Sequence, residues 1–268
     1  MGKLPRLIAK DARLRGYSVV AVGLEPVFDD EKLEGAVDIL ERINVGKLDK
    51  VIKTLKNHGV TQAVMAGKVP KELIYKSRIT PDLRALKLLW TLKGRSDDTV
   101  LLAITNELEK DGIRLLDTTA FCSGLIAPEG SITKRQPTKA QWKDIEWGYG
   151  MSKEIGRLDI GQTVVVKEQA VMAVEAIEGT DKAIKRGGKL AGDGAVVIKT
   201  AKPGQDLRFD VPAVGLSTIH AMIEVEAAVL AVEAGATLFL EKEEVIAQAE
   251  EAGIAVVGYK KPRKQGLG

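Results

Sequence analysis

The chain has 268 residues with 40 basic and 37 acidic side chains, a formal charge of +3. That length suits two domains of ordinary size, and the near balance of charge argues against a dedicated nucleic-acid binder, which carries a concentrated basic face. Cys122 is the single cysteine, which excludes an intrachain disulfide and a multi-thiolate metal site; with only His58 and His220 as histidines, a zinc site would need mostly carboxylate ligands.

Aliphatic residues dominate and aromatics make up 4% of the chain, a balance that favours Val-, Ala-, Ile- and Leu-rich α/β layers. There is no secretory-type leader and no uninterrupted apolar segment of spanning length, so the chain is expected to be soluble and cytoplasmic.

Residues 6–15 carry a helical pattern through Leu7, Ile8, Ala12 and Leu14, ending at Gly16, and 17–22 read as a strand. A helix in this place normally follows a strand, so the N-terminal domain is expected to lack its first strand, through a start placed too late or the loss of an edge or central strand; the alternative is a fold that begins with a helix. Residues 47–58 place Leu48, Val51, Ile52 and Leu55 on one helix face, and 61–65 form the next strand. That strand runs into Ala66-Gly67-Lys68-Val69, where a glycine at a strand end allows close approach of a ligand to the backbone. Lys68 is then a solvated turn residue or a group that reaches a phosphate. Helices over 81–92 and 99–110 follow, with Asp97 or Asp98 as an N-cap, and then a strand over 113–116. This alternation predicts a parallel sheet with helices on both faces.

Two prolines and a glycine within 128–137 read as a connection between domains. Beyond it, 138–156 is predicted to be a helix capped by Thr138, with Trp142 and Trp147 facing the core. Residues 164–167 and 171–174 form a hairpin with Asp159 and Gln162 at one end and Glu175 at the other. Pairing that hairpin with 195–200 brings these polar groups into one neighbourhood.

The stretch between 174 and 212 mixes charges of both signs with apolar runs. Glu175, Glu178, Asp181, Asp206 and Asp210 gather with Lys199, Lys202 and Arg208 around the apolar runs 171–174 and 195–198. Isolated buried ions are expensive and paired surface ions contribute little, so opposite charges collected at strand ends point to a cleft. Mg²⁺ and a phosphate would satisfy both signs, since Asp and Glu oxygens suit the ion and Lys and Arg suit phosphate. Thr180 and Asp181 stand where a helix begins, as caps or at an anion site.

Residues 217–232 read as a largely apolar helix or helix pair, 237–240 as a strand, 243–252 as a helix and 254–257 as a final strand. The basic tail 259–268 is expected to be a solvated end with weak attraction to an anionic membrane surface.

The runs LDIGQTVVV (158–166), AVEAIEGTD (173–181) and KTAKPGQDLRFDVPAVG (199–215) together resemble the bacterial UDP-2,3-diacylglucosamine pyrophosphatases of the LpxI type. GKLPRLIAKDAR (2–13), MAGKV (65–69), PDLRALKLL (81–89) and APEG (127–130) extend the likeness over almost the whole chain. The resemblance implies magnesium-dependent hydrolysis of the substrate diphosphate to UMP and 2,3-diacylglucosamine 1-phosphate, in lipid A synthesis. It also implies a homodimer and an amphipathic nucleotide-sugar lipid as substrate, while the basic tail is the ground for expecting peripheral contact with the inner-membrane surface. The fold expected is α/β: a Rossmann-like parallel-sheet domain over 1–127, a linker over 128–137 and a mixed α/β catalytic domain over 138–268.

The resemblance matches its catalytic aspartate to Asp210. Asp206, Arg208, Lys199 and Lys202 complete the expected catalytic set, and Gly67, Lys68, Asp159, Gln162, Thr180 and Gln205 are expected to bind substrate. The expected metal ligands are drawn from Asp210, Asp206, Glu175, Glu178 and Asp181. The substrate is expected between the two domains, its acyl chains against apolar C-terminal surface. Two other readings compete: a nucleotide-dependent oxidoreductase, against which the lack of a GxGxxG loop counts, and a non-catalytic nucleotide-sugar or lipid binder.

Overall fold

The computed structural model describes residues 3–28, 31–67, 80–92 and 97–261, with the backbone alone at Glu31, Asp97 and Asp98. It is a mixed α/β structure in two compact units. Unit 1 comprises Met1–Ser123 and Asp206–Asp210; unit 2 comprises Gly124–Gln205 and Val211–Gly268. No helix among the described residues is long and apolar enough to cross a membrane.

In unit 1, helix α1 (Leu4–Leu14) precedes strand β1 (Val20–Glu25), the short helix α2 (Glu31–Glu34) and strand β2 (Ile39–Asn44). β1 and β2 pair in parallel with Val20 opposite Ile39. β1 runs past Gly23, where a strand end was expected: a side chain there would stand 2.6 Å from the Phe28 ring, so glycine serves close packing within the strand. β2 escapes sequence reading because Glu41 and Arg42 interrupt its apolar pattern.

Helix α3 (Leu48–Asn57), strand β3 (Gln62–Ala63), helices α4 (Leu83–Thr91) and α5 (Asp97–Lys110) and strand β4 (Arg114–Leu115) complete the regular elements of this unit. β3 and β4 form a second parallel ladder. Asp82 caps α4, accepting the Ala85 N–H at 2.9 Å. The side chains of Asp97 and Asp98, expected to cap α5, lie outside the described residues. Ile52, Leu55, Leu108, Ile113 and Leu115 form the core beneath these ladders.

Unit 2 is built on a six-stranded mixed sheet ordered β5-β12-β10-β8-β6-β7. Its strands are β5 (Gly130–Ser131), β6 (Thr163–Lys167), β7 (Ala170–Val174), β8 (Val196–Lys199), β10 (Val229–Glu233) and β12 (Ala255–Tyr259). β8, β10 and β12 are parallel, β6 runs antiparallel to β7 and β8, and β5 runs antiparallel to β12. The stretch 128–137 thus lies within unit 2 and contributes β5.

The aliphatic strands alternate between two cores, as a period of two requires. Val164, Val166, Val196, Ile198, Val229 and Val257 pack under helix α6 (Lys139–Arg157) with Ile145 and Tyr149, and Trp142 and Trp147 flank that core. Val165, Val197, Leu230 and Val256 face helices α7 (Thr180–Ala191), α8 (Leu216–Glu224) and α9 (Lys242–Glu251). α6 begins with a capping box: Thr138 Oγ1 accepts the Gln141 N–H and Gln141 Oε1 accepts the Thr138 N–H. Strands β9 (Ala213–Val214) and β11 (Leu238–Phe239) make a separate parallel pair.

The helix or helix pair expected over 217–232 is α8 followed by β10. Glu226, with φ of 52°, breaks the helix, and Val229–Val232 are buried on both faces. A doubly buried strand and a buried helix leave the same unbroken apolar run, so periodicity alone does not separate them.

Candidate functional site

Unit 1 holds Asp206–Asp210, a segment that the chain supplies from its second half. Arg208 closes a turn on Asp206: its N–H donates to Oδ1 at 3.0 Å, Nε donates to Oδ1 at 2.9 Å and Oδ2 at 3.1 Å, and Nη2 donates to Oδ2 at 2.6 Å. The guanidinium holds the Asp206 carboxyl below its ordinary range, and the same hydrogen bonds raise Arg208. Phe209 packs against the Ile52–Leu108–Ile113 core of the unit. The Phe209 and Asp210 N–H groups both donate to Asp206 O, and the Asp210 side chain is exposed.

Thr118 ties this segment to the loop after β3. Its N–H donates to Leu207 O at 3.0 Å, and its hydroxyl lies 3.2 Å from Arg208 O and 3.1 Å from Met65 O. The 206–210 segment and the loop leading to Gly67 therefore meet at one buried threonine. Gly67 has φ of 106°, a backbone state that glycine adopts without a Cβ penalty. Lys68 lies outside the described residues. An open pocket of about 430 Å³ lies beside Arg208, lined also by Glu109, Arg114, Asp117 and Thr119. Sequence reasoning missed Thr118; its signal, a polar Asp117-Thr118 pair after the Leu115-Leu116 strand end, was present but unspecific.

In unit 2 the end of the β6–β7 hairpin, the end of β8 and the start of α7 converge. Lys199, 6% exposed, donates through Nζ to Thr180 Oγ1 at 2.7 Å, and the Thr180 hydroxyl donates to Glu175 Oε1 at 2.9 Å. Glu175 is 9% exposed. A hydroxyl that accepts from an ammonium and donates to a carboxylate joins the two charges in one polarised line. Gly179 occupies the N-cap position with φ of 84° and supplies no side-chain cap. Thr180 is thus occupied by Lys199 and Glu175, while Asp181 Oδ1 accepts from the Thr218 hydroxyl at 3.3 Å.

Three buried polar atoms at this end lack a hydrogen-bond partner among the described residues: Glu175 Oε2, Gln162 Oε1 and Thr163 Oγ1. Thr163 pairs with Lys199 across β6 and β8, and its carbonyl accepts the Glu175 N–H. Gly161 lies so close that a Cβ would stand 2.1 Å from Glu175 O. Buried acceptors without donors are rare in folded proteins and mark a place for a ligand or water.

The remaining expected residues of unit 2 stand apart from that line. Glu178 pairs with Arg186, which also donates to Val174 O and holds the Glu178 carboxyl low. Asp159 is exposed and pairs with Lys202, whose N–H donates to Gln205 Oε1 at 2.7 Å. Among the described residues no group of three His, Cys, Asp or Glu side chains is placed to hold a metal ion. Both Asp206 oxygens are taken by Arg208, so the donors present make no all-protein cage.

The family model described as the LpxI N-terminal domain matches residues 1–125, and that of the LpxI C-terminal domain matches 128–257. A relative from Caulobacter vibrioides, named UDP-2,3-diacylglucosamine pyrophosphatase LpxI, is 32% identical over 270 residues, covering 96% of this chain and 94% of that protein. With both halves matched in order and the likeness running nearly end to end, the chain belongs to the LpxI family.

Proposed function

We propose that this protein hydrolyses the diphosphate of UDP-2,3-diacylglucosamine to UMP and 2,3-diacylglucosamine 1-phosphate, a step of lipid A synthesis. The observation that carries the reading is the Lys199–Thr180–Glu175 line beside unpartnered acceptors, in a chain of this family. A glucosamine phosphate offers an anion to Lys199 and N–H and O–H donors to Glu175 Oε2 and Gln162 Oε1. Water adds to the phosphorus bearing the sugar, the bond to the bridging oxygen breaks, UMP departs with that oxygen, and the water gives up a proton.

Asp210 is the proposed carboxylate that orients this water, and Arg208 acts by holding the turn that presents it. Lys199 and Lys202 neutralise phosphate charge, the largest demand of such a transition state. Asp159, Gln205 and the Gly67-Lys68 loop are proposed as further substrate contacts.

Mg²⁺ is part of the proposal as a companion of the diphosphate. It is commonly bound by one or two carboxylates plus substrate phosphates and several waters, without a protein cage. Its ligands are proposed to be drawn from Asp210, Asp181 and Glu175; when bound, the ion would supply charge neutralisation. A Rossmann-like N-terminal domain, a homodimer and peripheral contact with the inner membrane belong to the same proposal.

The test is UMP release from UDP-2,3-diacylglucosamine by the purified protein, with magnesium and with a chelator. Release with magnesium and its loss with chelator supports the reading; no release under either condition removes it.

A further inference from the structure

The carboxylate of Glu233, the last residue of β10, collects three donors. Oε1 accepts from the Tyr149 hydroxyl at 3.0 Å, and Oε2 accepts from Lys153 Nζ at 2.6 Å and from the Ala201 N–H at 2.8 Å. Lys153, on α6, also donates to Ala201 O at 2.8 Å. One ion pair therefore holds both polar backbone groups of Ala201, which is buried just beyond the end of β8. Its side chains are 25% and 16% exposed, so the pair is largely withdrawn from water.

Ala201 stands two residues after Lys199 and is followed by Lys202, Gln205 and the 206–210 segment. Past the end of β8, buried backbone groups need other partners, and here α6 and β10 supply them. The sheet thereby fixes the peptide from which the functional loop departs.

We propose that Lys153 and Glu233 are positioning residues, a clamp on Ala201 that sets the direction of the chain carrying Lys202 and Gln205. The catalytic half of this inference rests on the hydrolase reading; the clamp itself does not. A group misplaced by about 1 Å loses roughly 100-fold in rate, so a clamp of this kind acts on turnover more than on binding.

The experiment uses the full chain and the variants Lys153→Met, Glu233→Gln and Lys153→Arg, with two readouts. Amide hydrogen exchange at 201–205 is expected to quicken about 10-fold or more in the first two variants, while β6, β8 and β10 keep their protection. Turnover of UDP-2,3-diacylglucosamine is expected to fall about 10- to 100-fold in kcat with KM within about 2-fold, and Lys153→Arg is expected to restore both. If Lys153→Met does not fold, Lys153→Gln carries the same expectations in weaker form.

Unchanged exchange at 201–205 overturns the clamp, as does protection lost evenly over the whole sheet. Unchanged kcat with faster local exchange overturns its catalytic part. If the wild-type protein releases no UMP, the hydrolase reading fails, and the exchange readout still decides the clamp.

Discussion

Arg208 binds Asp206 with its own N–H and two guanidinium nitrogens at once, so residues two apart form a single closed turn. Because the folded Asp206 carboxyl is held below its unfolded value, this contact stabilises above the ordinary Asp range and is lost as pH falls through the depressed value. Asp206→Asn is expected to cost about 1 kcal/mol near neutral pH, allowing for partial exposure. Urea unfolding of both proteins near pH 7 and near pH 3 checks this; a gap that does not narrow on acidification contradicts it.

Asp210→Asn is expected to abolish UMP release with little change in fold. The side chain is exposed, so stability should move by no more than about 0.5 kcal/mol. Circular dichroism and a thermal melt measured beside the assay separate loss of chemistry from loss of structure, and retained turnover removes Asp210 from the mechanism.

Thr180→Val cuts the line between Lys199 and Glu175 and leaves two buried charged groups each short of a partner. A destabilisation of about 2–3 kcal/mol is expected, together with weaker substrate binding. Thr180→Ser keeps the hydroxyl and should recover most of both. Equal effects of the Val and Ser variants would overturn the assignment of the loss to the hydroxyl.

Gly188 of α7 lies against Val225, whose Cγ2 would stand 2.2 Å from an added Cβ. Gly188→Ala is therefore expected to destabilise by about 1–3 kcal/mol by overpacking, against the gain of up to about 1 kcal/mol that alanine brings to a helix interior. A variant that melts above the wild type would refute the packing argument.

Cys122 is buried in unit 1, and burial first, then Asp11, pushes its thiol up to about 11. A thiol reagent near pH 8 should react slowly with the folded protein and fast once denaturant is added. Equal rates in the two states would contradict this burial.

The legibility of the fold tracks the locality of the forces. Thr138 and Gln141 close a capping box within one turn, and strands such as Val164–Lys167 carry unbroken aliphatic runs, so both can be read from the chain. β10 cannot, because a strand covered on both faces loses its alternation. At the site, Glu175, Thr180 and Lys199 were legible as charges and a turn at strand ends. Lys153 and Glu233 were not: they stand 80 residues apart, and nothing local to either announces the other. The attachment of Phe209 to unit 1 likewise depends on a core assembled far away in sequence.

That attachment bears on how the protein is made. Phe209 packs, partly buried, against the core of unit 1 but is encoded long after Ser123. During synthesis the first unit therefore emerges with part of its core uncovered, and the cover arrives only when residue 209 has left the ribosome. A gene fragment ending at Ser123 would yield a product permanently missing that side chain, and a protease nick near Gly124 in the finished protein would leave unit 1 still joined to unit 2 at both ends of Asp206–Asp210.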